Sequence, residues 1–174
     1  MDTGLNARFF VPSDAEALTG LLNSAYADLE SAGLNFTAAT QDVETTLRRV
    51  SHGVCWVVED QGELAATLTL VIPPGEEIQS LTAEARVDKR AWIEQVAVGA
   101  RLRGRRVAQQ LYHEAVEWSK GNGYTSLGLD TAVPAEHLVR MYEKWGFRRT
   151  GTVHFDGKNY DSAVLIRPLG ESIS

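Results

Sequence analysis

Between residues 93 and 118 the chain changes its hydrophobic period. Ile93-Glu94-Gln95-Val96-Ala97-Val98 reads as a strand, and Gly99-Ala100-Arg101-Leu102-Arg103-Gly104-Arg105-Arg106 as a tight turn. Val107, Ala108, Leu111, Tyr112, Ala115, Val116 and Trp118 then fall on one face of a helix. A strand that passes through a glycine turn into an amphipathic helix narrows the fold to a sheet with helices laid on its faces. The turn is also a ready anion site, because the first amides of a helix lack intrahelical partners and sit at its positive end. Arg101, Arg103, Arg105 and Arg106 add positive charge there, and the small Gly104 and Ala108 admit a phosphate close to the backbone. A solvated basic helix start accounts for the same residues, since short glycine motifs discriminate weakly. The pattern is neither the G-x-x-x-x-G-K-[ST] of a triphosphate loop nor G-x-G-x-x-G.

The rest of the chain supplies the other elements. A short strand-like run covers residues 8–11, and Ser13-Asp14-Ala15-Glu16 has the form of a capping box. Ala17, Leu18, Leu21, Leu22 and Ala25 predict a helix to about Asp28, and Thr40-Gln41-Asp42-Val43-Glu44 starts another, ending near Gly53. Residues 54–58 and 64–72 predict a hairpin around Gly62, closed off by Pro73-Pro74-Gly75. Residues 76–89 are polar and acidic and read as an excursion from the core. A strand over 124–129, a helix over 134–145 and a hairpin of 147–154 with 160–166 complete the order, with residues 170–174 as a frayed tail. The sum is β α α β β β α β α β β: one α/β (α+β) domain over residues 1–174, with a mixed, mostly antiparallel sheet flanked by helices.

Composition bounds the function. At 174 residues with 44% hydrophobic and 23% charged side chains, the chain is long enough for a full core. No apolar run reaches a membrane span, and the first residues lack a secretion-type n-region, so a cytoplasmic protein without membrane contact is expected. A net charge of −6 weighs against nucleic-acid binding. Cys55 is the sole cysteine, flanked by Val54, Trp56 and Val57, and reads as core. His52, His113, His137 and His154 show no ligand spacing, so no metal is expected.

The segment 101–106 between strand and helix resembles the R/Q-x-x-G-x-G/A pyrophosphate signature of the GNAT N-acetyltransferase superfamily. Residues 93–98 resemble that family's central strand, and Tyr142-Glu143-Lys144-Trp145-Gly146-Phe147 its late Tyr-x-x-x-Gly-Phe helix ending. The resemblance extends over residues 6–167. One position departs: the family's inner glycine falls on Arg106, for which a helix N-terminus predicts an ordinary negative φ with the side chain turned outward.

The resemblance implies acetyl-CoA as cosubstrate. Its pyrophosphate is expected on Arg103, Gly104, Arg105, Arg106, Val107 and Ala108, and its pantetheine arm along Val96, Ala97 and Val98. It also implies direct transfer to an amine, with Glu94 serving the amine, directly or through water, and Tyr142 protonating the departing thiolate. A mid-strand carboxylate at Glu94 suits a cleft, although half of a strand's positions face solvent. Tyr142 suits a general acid, although Met141, Trp145 and Phe147 suit a packing role for it. Residues 26–40, with Asn35 and Phe36, and residues 76–89 are expected to shape the acceptor site. A small amino-acid-like amine is the first expectation and a peptide or protein amine the second. A CoA-binding regulatory module stays open, as does a homodimer.

Overall fold

The computed structural model describes residues 5–170. Strand β1 (Ala7–Phe9) lies antiparallel to β2 (Gly53–Asp60), which turns at Gln61-Gly62 into the antiparallel β3 (Glu63–Val71). β3 pairs antiparallel with β4 (Arg90–Val98), and β4 runs parallel to β5 (Ser126–Ala132). β6 (Arg148–Val153) and β7 (Ser162–Pro168) close the sheet, whose order is β1-β2-β3-β4-β5-β7-β6. The one parallel pair needs a crossover, and helix α5 (Val107–Gly121) supplies it. The other helices are α1 (Ala15–Ser31), α2 (Thr37–Thr40), α3 (Val43–Val50), α4 (Glu76–Leu81) and α6 (Glu136–Lys144). The expected α/β architecture, mostly antiparallel and flanked by helices, is therefore present.

Strand alternation assigns the layers. Trp56 and Val58 of β2 pack with Leu111, Tyr112 and Ala115 of α5, along with Tyr142 and Phe147. Cys55 and Val57, one residue out of phase, pack with Leu18, Leu21 and Leu22 of α1. Burial pushes the Cys55 thiol upward in pKa, as suits a core side chain.

Three expectations change. Ser13 makes no capping box: Pro12–Asp14 forms a single 3-10 turn before α1. The Asp14 carboxylate accepts the Val11 amide at 2.9 Å and pairs with Arg8 at 2.8 Å, so the acid beside the serine does the work. Residues 76–89 are not an excursion, because Ile78 and Ala85 are buried against Trp92, Val164 and Ile166 and cover that part of the sheet. The polar majority of the segment hid this short apolar face. The third change, at Arg106, concerns the site. Of the expected tail, residues 171–174 lie outside the described residues. No described helix is long and apolar enough to cross a membrane.

Candidate active site

The site begins with a fault in the central strand. Thr69 pairs with Glu94 but Thr67 pairs with Ala97, so one β3 residue faces two on β4 and a bulge falls at Gln95-Val96. Gln95 takes φ 55° to make it. Its buried side chain accepts from Gln41 Nε2 at 2.9 Å and donates to Thr69 Oγ1 at 3.3 Å, which ties the bulge to the segment between α2 and α3. Beyond Ile93, β4 has no partner on β5. The Gly99 amide donates to Ala65 at 2.7 Å on the β3 side. By alternation Ala97 faces β3 as well, while Val96 and Val98 turn their backbone groups to the open edge. There the Val96 carbonyl accepts the Tyr26 hydroxyl at 2.8 Å.

The turn after β4 leaves amides uncovered. A 3-10 turn at Ala100–Leu102 buries Leu102, and the Arg105 amide donates back to the Leu102 carbonyl at 3.2 Å. Among the described residues no protein acceptor takes the amides of Gly104, Arg106, Val107 or Ala108, and no side chain caps α5. Gly104 sits at φ 79°, with open space where a Cβ would stand. Arg106 corrects the expectation of a negative φ: it is left-handed, at φ 58° and ψ 27°. The chain must reverse there to present the helix start, a conformation glycine adopts freely and arginine adopts under strain. Its side chain is exposed, as expected. The arginines divide: Arg101 pairs with Asp60 at 3.3 Å and Arg103 with Asp28 at 3.6 Å, whereas Arg105 and Arg106 have no acidic partner among the described residues.

A cavity of about 730 Å³ opens on the α1 side of the sheet where β4 and β5 part. Glu94, Val96 and Tyr142, placed there from sequence, share it with Arg49, Asp130 and Lys158. Tyr142 packs in the opposite layer with Trp145 and Phe147, yet lines the cavity, so the sheet is open at this point. It both packs in the core and reaches the cavity. Burial drives its phenol well above the ordinary 10, which keeps it protonated, and among the described residues no group hydrogen-bonds its hydroxyl. Arg49 Nη2 lies 3.2 Å from Glu94 Oε2. Asp130 accepts the Trp92 indole N–H at 2.8 Å, and desolvation raises its pKa from 3.8 to about 6. Tyr26 and Tyr160 are both pushed by burial to about 12.

Of the two expected acceptor residues, only Phe36 lines the cavity, stacked on Tyr160 at 5.1 Å between ring centroids. Asn35 does not; its side chain donates to Gly157 at 2.9 Å and accepts the Asn159 amide at 3.0 Å, clamping the β6–β7 turn. Sequence reasoning missed Arg49, Lys158 and Asp130. The strand read over 124–129 stops one residue short of Asp130, so the mid-strand signal that singled out Glu94 did not reach it; β5 in fact runs on to Ala132.

Uncovered amides at a helix start, a bulged central strand and a cavity lined by a phenol thus occur side by side in this fold. The family model described as Acetyltransferase (GNAT) family matches residues 19–147. The S-(2-succino)cysteine N-acetyltransferase of Bacillus subtilis is 30% identical over 163 residues, covering 93% of this chain and 94% of that protein. Among solved structures, the ribosomal-protein-S18-alanine N-acetyltransferase of Escherichia coli superposes with TM-score 0.72 at 14% identity, covering 98% of this chain and 99% of that one. The yncA structure from Salmonella typhimurium, with its cofactor acetyl-CoA, gives TM-score 0.70 at 17% identity over 98% and 96% of the two chains. The chain belongs to the GNAT family of N-acetyltransferases, enzymes that use acetyl-CoA.

Proposed function

We propose that the chain transfers an acetyl group directly to the primary amine of a small, amino-acid-like metabolite held in the 730 Å³ cavity. The observation that carries this reading is the meeting of Glu94, Asp130 and Tyr142 in one cavity at the point where β4 leaves β5.

The residues present suit acetyl-CoA. The uncovered amides of Gly104, Arg106, Val107 and Ala108 suit a diphosphate, with Arg105 and Arg106 as free positive charge beside them. Residues 96–98 offer an unpaired strand edge to the amides of an extended arm. The Val96 carbonyl keeps a second lone pair beside its Tyr26 bond, so it can accept from both. When bound, acetyl-CoA supplies the activated acetyl thioester.

The chain's own groups then divide the work. Glu94, ion-paired with Arg49, presents negative charge to the acceptor ammonium. Asp130, with a pKa of about 6, is matched to take a proton from that ammonium near neutral pH. This shifts the base role expected of Glu94 towards its neighbour, because the two carboxylates sit in unlike surroundings. The amide near Val96 faces the open edge, where negative charge develops on an acyl oxygen. Tyr142 keeps its hydroxyl proton available to a departing thiolate.

A small acceptor is favoured over a peptide by the roof of the cavity. The turn 155–159 is bonded to Asn35 on one side and, through the Asp156 amide, to Glu77 at 3.0 Å on the other. The Bacillus relative named for an amino-acid substrate supports the same class. The test is a panel of amino acids, polyamines and peptides with acetyl-CoA, following thiol release and the acetylated product by mass spectrometry. Turnover concentrated in free amino-acid-like amines is expected. Turnover of peptides alone, or of no amine, contradicts the reading.

A further inference from the structure

We infer that Arg49 and Lys158 form a carboxylate-binding subsite in the acceptor cavity, so that the acceptor is an amine bearing a carboxylate group. The inference rests on the acetyl-transfer reading for the fate of the amine, but the subsite itself is argued from charge and geometry.

The two cations come from different parts of the fold, Arg49 from α3 and Lys158 from the β6–β7 turn, and both line the same cavity. They sense each other: Arg49 is among the causes that loosen the Lys158 proton, after burial, while Glu77 opposes it. Lys158 is half-buried, and among the described residues no carboxylate pairs with it. Its Nζ donates instead to two neutral oxygens, Asn35 O at 2.6 Å and Thr37 Oγ1 at 2.9 Å. An ammonium has three N–H groups, so one is left for a ligand. A half-buried cation with no ion-pair partner among the described residues is strengthened by an anionic ligand group at this position.

Arg49 has donors to spare as well. Of its five N–H groups, one goes to Gln41 Oε1 at 2.8 Å and one to Glu94 Oε2 at 3.2 Å. A planar guanidinium matches a carboxylate in a two-bond fork. The position of Lys158 is built in advance. Asn159 Nδ2 donates to Gly33 O at 2.6 Å and Asn35 Nδ2 to Gly157 O at 2.9 Å, so the turn that carries the lysine is bolted to the α1–α2 connection. The cavity thus carries both signs of charge: Glu94 and Asp130 on the strand floor can meet an ammonium, while Arg49, bonded to Glu94 by one arm only, and Lys158 can meet a carboxylate. An α-amino acid or a larger amino dicarboxylate satisfies both ends, and a simple amine satisfies one.

Two measurements test this. In the first, acetylation kinetics are compared for amino acids and for the amines or methyl esters that lack their carboxylate. Wild type is expected to favour the carboxylated member about tenfold or more in kcat/KM, the worth of one charge-assisted contact. Lys158→Met should raise KM for the carboxylated member by a similar factor, leave KM for acetyl-CoA unchanged, and be rescued in part by Lys158→Arg. In the second, succinate, a dicarboxylate with no amine, is titrated while Tm is followed. It should raise Tm of the wild type and not of Lys158→Met. Equal turnover of the decarboxylated amines, or a succinate response untouched by Lys158→Met, overturns the subsite. A Lys158-dependent succinate response without turnover of any amine overturns the transfer reading and leaves the subsite standing.

Discussion

The Arg49 guanidinium stands 3.2 Å from the Glu94 carboxylate while its other arm is braced by Gln41, whose amide also holds the bulge residue Gln95. One polar cluster therefore fixes both the opening of the central strand and the charge that lines it. Glu94→Gln keeps the shape and removes the charge. It should lower kcat/KM for the amine about a hundredfold, within the range typical of groups that manage a reacting proton or ammonium. Acetyl-CoA affinity, measured by calorimetry, should stay within about twofold, a limit set by the RT scale of binding.

Asp130 couples stability to pH. Its pKa is about 6 in the folded protein against an ordinary 3.8, so the folded state binds the proton more tightly than the unfolded one. Stability is accordingly lost as pH rises from about 4 to about 6, and the loss is complete above that window. At roughly 1.4 kcal/mol per tenfold in the proton equilibrium, the buried charge costs about 3 kcal/mol. Asp130→Asn can still accept the Trp92 indole and should gain stability of that order in urea melts at about pH 8, with little gain at about pH 4. The same variant should lose the rise of kcat/KM through about pH 6, which reports the base.

The neighbouring Gly128 is a matter of space. A Cβ there would collide with the six-membered ring of the fully buried Trp92, whose indole N–H holds Asp130. Gly128→Ala should destabilise by about 1–3 kcal/mol, as overpacking does, and should also disturb the acidic limb of the pH profile. Thermal melts and rate profiles read the two effects separately.

Arg106 bears on the turn. A left-handed arginine costs about 1–2 kcal/mol relative to a residue at ease there, and the strain is local. Arg106→Gly should raise Tm by about 2–4 °C for each kcal/mol relieved in a chain of this size. It also removes a free cation beside the uncovered amides, so acetyl-CoA should bind more weakly and with a shallower salt dependence. A lower Tm would mean that the arginine is not strained.

The order of the strands and of the longer helices was legible because period and turn residues act locally, whereas the short α2 and α4 were not read. α3 starts within the segment 40–44 that the sequence marked, with the Asp42 carboxylate accepting the Thr45 amide at 2.8 Å. The turn at residues 101–108 was legible for the same reason, since strand, glycine and helix are contiguous. What the chain conceals is pairing over distance. The bulge at Gln95 exists only through the β3–β4 register, and Arg49 meets Glu94 across 45 residues. Lys158 joins the cavity because Asn35, 123 residues away, holds its turn. The φ of Arg106 depends on how the chain must enter α5, which one residue's propensity does not reveal.

The most direct test of the whole account is the Tyr142→Phe variant, assayed for amine-dependent thiol release and, in parallel, for acetyl-CoA binding. Removing one hydroxyl at the cavity wall, which meets no partner among the described residues, leaves the fold and the cofactor turn in place. The account predicts kcat reduced by about a hundredfold or more with acetyl-CoA affinity nearly unchanged. Turnover equal to that of the wild type would contradict it.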